Sequence, residues 1–166
     1  MALKPPTYEL LGTDLGLTRF SGTPGAVGLD SADSWGTLDL RVVPGGRGGL
    51  PQAGTVLDLS AVSGRENLAQ ALIVRLLTPQ GTLTGLGHPG YGCRLVELIG
   101  ELNNDTTRNL ARLYTVEAVA QEHRVAALLD LAVGTPDGQP DVVRVDLAVL
   151  PVNDDQPLAL SLSINL

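Results

Sequence analysis

Ser63–Pro79 reads S-G-R-E-N-L-A-Q-A-L-I-V-R-L-L-T-P, and Gly87–Gly100 reads G-H-P-G-Y-G-C-R-L-V-E-L-I-G. Asn103–Tyr114 follows as N-N-D-T-T-R-N-L-A-R-L-Y, and Gln121–Arg124 closes the stretch as Q-E-H-R. Leu68, Leu72 and Leu76 recur at helical spacing, with Ala69, Ile73 and Leu77 beside them. This predicts a helix with a wide apolar face, buried along most of its length. Ser63 and Glu66 have the spacing of a capping box at its start, and Pro79 and Gly81 end it. The residues from Gly85 to Gly92 are too rich in glycine and proline for regular structure and predict a tight, shaped loop. Cys93–Ile99 is expected as a short helix with Leu95, Leu98 and Ile99 inward, stopped by Gly100. Asn103, Asn104 and Asp105 offer capping oxygens for a second long helix. That helix is expected to run to about Glu122, with Leu110, Leu113, Tyr114 and Ala118 as its apolar stripe.

Beyond Arg124 the periodicity changes to that of strands. Val125–Val133 and Val142–Val149 are expected strands, separated by the turn Thr135–Pro140. After a second turn at Asn153–Pro157, Leu158, Leu160, Leu162, Ile164 and Leu166 alternate with polar or small residues to the end of the chain. An apolar alternating strand in that position is either paired internally or offered to a partner. Upstream, Thr55–Val62 reads as a short strand leading into the first helix, and Thr37–Val43 as another. Pro44–Gly49 has the composition of a flexible linker, and Phe20 or Trp35 is expected to anchor the irregular region before it. The resulting expectation is an α+β fold. Two main helices plus a short one pack on a small antiparallel sheet, with an irregular N-terminal extension at 1–50 and the main domain at 51–166.

At 166 residues and 43% hydrophobic the chain can bury a core, and with 3% aromatic residues that core must be aliphatic. No apolar run is long enough to cross a bilayer, and Met1–Pro6 has no signal-peptide character. The expected location at synthesis is therefore the cytoplasm, without membrane insertion. Net charge is −7. The excess sits near the C-terminus, where Arg144 stands against Asp130, Asp137, Asp141, Asp146, Asp154 and Asp155. This argues against nucleic-acid binding, which needs a basic surface. Cys93 is the only cysteine, so neither an internal disulfide nor a thiolate zinc site is expected. His88 and His123 have no metal-ligand spacing, and no cofactor motif is present.

The G-H-P-G-Y-G-C-R-L corner (Gly87–Leu95) and the charged pair of Glu122-His123-Arg124 resemble the baseplate wedge protein of contractile tails. This sheath-initiator family was once labelled tail lysozyme and is shared by contractile phages, type VI secretion and extracellular contractile injection systems. The resemblance covers Ser63–Arg124, and the later strands more loosely. Cys93 stands where the family has serine, and His123 replaces the proline of the family's Glu-Pro-Arg signature. The resemblance implies a wedge interface of Tyr91, Arg94, Glu122 and Arg124 against the helical core bundle of other wedge proteins. It also implies a C-terminal sheet, with Leu158, Leu160, Leu162 and Ile164, that receives arms from the first ring of sheath subunits. Spike, hub or inner tube proteins are the further neighbours it implies, with multiple copies in a six-fold assembly.

The old label makes peptidoglycan cleavage the alternative. A glycosidase needs two carboxylates across a sugar cleft, one with a raised pKa. Glu97, Glu101 and Asp105 are the candidates, but their spacing is equally that of solvated side chains. The single Trp35 lies far from them in sequence. The sequence reading is therefore of a structural protein with no catalytic residues, no cofactor and no metal.

Overall fold

The computed structural model describes residues 10–17, 26–28, 40–44 and 57–166. The expected anchors Phe20 and Trp35, the run 45–49, and residues 37–39 and 55–56 of the two upstream strands lie outside the described residues. The elements in chain order are β1 (Thr13–Leu15), β2 (Ala26–Gly28), β3 (Val42–Pro44), β4 (Leu57–Leu59), β5 (Ala61–Ser63) and α1 (Gly64–Leu77). Two 3₁₀ turns (Thr84–Leu86 and Leu95–Leu98) precede α2 (Asp105–Ala120), and β6 (Val125–Gly134), β7 (Val142–Pro151) and β8 (Leu158–Asn165) complete the fold. The class is α+β, as the sequence predicts. The main sheet has the order β2-β8-β7-β6; β6, β7 and β8 run antiparallel, and β2 adds in parallel to β8. Short antiparallel pairs join β1 to β5 and β3 to β4.

The core lies between α1, α2 and one face of the sheet. Leu68, Leu72, Ile73 and Leu76 of α1 meet Val143, Val145 and Val149 of β7 and Leu158, Leu160, Leu162 and Ile164 of β8, all essentially inaccessible to water. Strict alternation on β8 places every second residue on this face. On α2 the buried face consists of Thr107, Ala111, Tyr114, Thr115, Ala118 and Val119. The expected stripe is thus shifted: Leu113 is half exposed, because the small residues Ala111, Thr115 and Ala118 let the helix approach its neighbours closely.

The helix ends also differ in detail. Ser63 occupies the cap position of α1 but makes no side-chain cap bond, and Glu66 lies 3.9 Å from Arg41 instead. The capping box does not form because Ser63 is the last residue of β5, paired with Thr13, and Gly64 at φ 63° turns the chain sharply into the helix. Asn104 does cap α2, its Oδ1 accepting from the Thr107 N–H at 2.9 Å. The expected single strand 55–62 is two strands, because Ser60 breaks the register: its carbonyl accepts from Gly16 N–H while its own N–H donates to Arg41.

Long side chains tie the helices to the turns of the sheet. Arg65 at the start of α1 bonds Asp154 and the carbonyls of Gln156 and Pro157 in the β7–β8 turn. Asn103 before α2 donates to Thr135 Oγ1 and Pro140 O in the β6–β7 turn and accepts from Arg108. Buried amides of α1 hold the N-terminal segment. Asn67 donates to Leu11 O, while Gln70 donates to Leu15 O and accepts from Leu17 N–H. Leu11 is itself wholly buried in the shared core.

The glycine-rich corner is clamped to the end of α1. Cys93 N–H donates to Thr78 O, and Gln80 N–H donates to Cys93 O. This close approach needs Gly92: at φ 105° a side chain is disfavoured, and a Cβ would stand 2.5 Å from Thr78 O. Gly87 has a similar φ of 84° but open space around it. Gly87→Ala is expected to cost only the left-handed conformation, about 1–2 kcal/mol. Gly92→Ala adds a backbone clash and must lower Tm by more. Thermal melts of the two variants, compared with the parent, check this ordering.

Candidate functional site

α1 carries Arg75, the glycine corner carries Tyr91, and the turn after α2 carries Glu122 and Arg124. These side chains meet. Glu122 is 4% exposed and accepts from Arg124 Nε at 2.8 Å, Arg124 Nη2 at 3.2 Å and Arg75 Nη2 at 3.3 Å. The Arg75 guanidinium lies over the Tyr91 ring, 4.4 Å from its centroid, a favourable stacking of cation on π face. Arg124 Nη1 reaches Leu11 O at 3.2 Å, the same carbonyl that Asn67 holds. A single carboxylate thus joins α1, the glycine corner, the turn after α2 and the N-terminal segment.

Local sequence explains the geometry. α2 ends at Ala120, and the turn is closed by Glu122 N–H to Val119 O and Val125 N–H to Glu122 O, each 3.0 Å. Backbone hydrogen bonds therefore define the helix end without a proline. His123 points outward, 88% exposed, with its Nδ1 3.6 Å from Glu122 Oε1. The charged pair read from the sequence is not a surface ion pair. Burial pushes the Glu122 carboxyl up, but the hydrogen bond and charge of Arg124 and the charge of Arg75 outweigh it, and the net shift is downward from 4.5. The bond to Glu122 raises Arg124 further, and burial raises the Tyr91 hydroxyl.

Of the residues expected at this surface, Tyr91, Glu122 and Arg124 come together and Arg94 does not. Arg94 forks onto Glu97 at 2.8 Å and stacks over Tyr114 at 4.4 Å. Arg75 escaped the sequence reading. Its signal was visible: it is the only charge between Asn67 and Thr78, set in the apolar run of a helix read as deeply buried. Its Nε is buried without a hydrogen-bond partner, a cost of about 1–3 kcal/mol that the other contacts of the cluster must offset. Cys93 is a packed residue, its thiol buried near Tyr114 O, and burial raises its pKa. No cluster of potential metal ligands occurs among the described residues.

The second expected surface is β8. The side chains of Leu158, Leu160, Leu162 and Ile164 are spent on the core, so they cannot themselves form an interface. The backbone can. Leu166 N–H donates to Asp141 O at 2.8 Å, and the β7–β8 register continues from there through Asn165 opposite Val142 and Ile164 opposite Val143. In an antiparallel ladder the bonded pairs alternate. Leu158, Leu160, Leu162 and Ile164 therefore bond to β7, while Ala159, Ser161, Ser163 and Asn165 turn their N–H and C=O groups to the other edge. Along that edge β2 pairs only with residues from Ala159 to Ser161. Beyond Ser161 no strand pairs with it among the described residues.

No protein-family model matches this sequence, and no curated protein sequence matches it. A solved structure described as "putative tail lysozyme", from Geobacter sulfurreducens, is similar in fold. It shares 20% identity and a TM-score of 0.52, over 61% of this chain and 89% of that one. At this identity the likeness is one of fold.

The cluster has a pH signature. Because the Glu122 pKa is lowered in the folded state, its contribution is present above the unfolded value and is lost as pH falls through the folded one. Glu122→Ala leaves buried guanidinium charge unmatched and is expected to cost about 3–5 kcal/mol at neutral pH. The deficit relative to the parent should shrink in acid. Denaturant melts of both proteins from pH 7 to pH 3 measure it, and a constant deficit would contradict the assignment.

Proposed function

We propose that this chain is a structural baseplate component of a contractile tail or injection system, joining wedge proteins and templating the first sheath ring by strand addition. The observation that carries this reading is the edge of β8. Its backbone groups at Ser163 and Asn165 face outward in register, beside a core already closed by the same strand's side chains. Strand addition on such an edge gives affinity through main-chain bonds without a pocket. The fold likeness to the tail-protein structure and the resemblance of the Gly87–Leu95 corner support the same context. On this reading Tyr91 and Arg124 meet the wedge proteins, with Glu122 behind them as the group that orients Arg124. Arg94, set apart from that cluster, would be a separate contact. The protein would be made in the cytoplasm and built in several copies into the baseplate.

The description of the similar structure favours peptidoglycan cleavage as the second reading. The carboxylates do not support it. Glu97 is held by Arg94, and that hydrogen bond lowers its pKa, the opposite of what a general acid needs. Asp105 pairs with Arg108. We read the chain as non-enzymatic.

The test of the template role is Ser163→Pro. Proline removes an outward N–H and blocks pairing there while leaving the β7 ladder intact. The expected result is a folded protein, assembled baseplates and tubes without sheath, seen by electron microscopy. Sheath of normal length on such baseplates would overturn the reading. For the second reading, purified protein is expected to release no fragments from peptidoglycan, and Glu97→Gln with Glu101→Gln to leave injection unchanged. Cleavage lost in that double variant would restore the enzyme.

A further inference from the structure

We infer that β2 is a resident strand, held on the β8 edge in the free subunit and displaced by the extended segment of another subunit. This rests on the template role proposed above. The main-chain parity of β8 carries the inference. Ala159 and Ser161 point their backbone groups away from β7, and the parallel register sets Ala26 opposite Ala159, Val27 opposite Leu160 and Gly28 opposite Ser161. In a parallel pair, each residue that turns its groups to its neighbour bonds on either side of the residue opposite. Val27 is therefore the residue whose N–H and C=O face Ala159 and Ser161, and Ala26 and Gly28 turn theirs away. A partner strand covering all of β8 must take the positions that Val27 holds.

Among the described residues, β2 covers Ala159 to Ser161 of the eight-residue β8. An incoming segment can advance along β8 by exchanging one backbone pairing at a time for that of β2. The partner this edge fits is an extended segment with apolar residues at alternate positions. Its inward residues would lie against the flank of the core beside Leu160, Leu162 and Ile164, where Leu166 is only partly buried. While β2 is in place it lowers apparent affinity by the fraction of subunits whose edge is clear. It also protects part of an edge that would otherwise invite unwanted pairing.

The test uses the full chain and a matched pair of variants. Val27→Pro deletes the donor facing β8. Ala26→Pro places proline in the same segment at a position whose N–H faces away. Two measurements are needed: amide hydrogen exchange at Ser161 and Ser163, and the affinity of the purified sheath subunit of the same particle. The expected result is faster exchange at Ser161 in Val27→Pro, no change at Ser163, and sheath binding roughly tenfold tighter than in the parent. Ala26→Pro is expected to behave as the parent. Unchanged exchange at Ser161 would overturn the inference, since β2 would not cover that edge. Faster exchange with unchanged sheath affinity would also overturn it, leaving the template role standing. If the sheath subunit binds neither the parent nor either variant, the template role itself fails and the resident-strand inference falls with it.

Discussion

Glu122 is a carboxylate removed from water, and such a group is tolerated only if fixed positive charge and hydrogen bonds replace its hydration. Here the replacement comes from separate parts of the chain. Arg75 arrives from α1 and Arg124 from the residue before β6. Each is held in turn, Arg75 by the Tyr91 ring and Arg124 by the Leu11 carbonyl. The cluster sets where the glycine corner sits against α1 and how α2 hands over to the sheet. The Gly92 clamp on Thr78 fixes the same corner from its other side. The proposed wedge surface of Tyr91 and Arg124 is thereby pre-positioned, because neither side chain would need ordering on binding.

The sheet is positioned by a second set of polar contacts. Arg65 and Asn103 stand just inside or before the helix N-termini and hold the two hairpin turns. This fixes both hairpins relative to the helices that cover them. It also uses part of the acidic surplus of the C-terminal region: Asp154 is bound by Arg65, and Asp146 is shared by Arg144 and Ser161. Asp137 and Asp141 remain exposed at the β6–β7 end. Negative charge on this sheet is thus partly structural.

Much of the fold was legible because it follows from periodicity. The every-fourth leucines define α1, the Asn104 cap opens α2, and the alternation of Leu158–Ile164 defines both the strand and its buried face. The reading failed where a residue's role depended on a distant partner. Leu113 fits a helical stripe, but the small residues Ala111, Thr115 and Ala118 rotate α2 away from it. Ser63 and Glu66 have capping-box spacing, but pairing of Ser63 with Thr13 takes the cap away. At the candidate site the motif resemblance grouped Tyr91, Arg94, Glu122 and Arg124, and the fold brings together all but Arg94, which turns to Glu97 and Tyr114 instead.

The sequence by itself determined the α+β order of elements, the aliphatic core and the inward faces of β7 and β8, because these depend on local pattern and on the side-chain period. Tertiary structure alone decided that Glu122 is buried and bound by Arg75, since nothing in a linear chain shows which helix will meet a turn 47 residues away. It alone decided which backbone groups of β8 face outward, because that parity is set by strand register and not by side-chain type. It also decided that residues 26–28 occupy part of that edge: three residues carry too little pattern to announce their partner, and only the finished sheet offers them one.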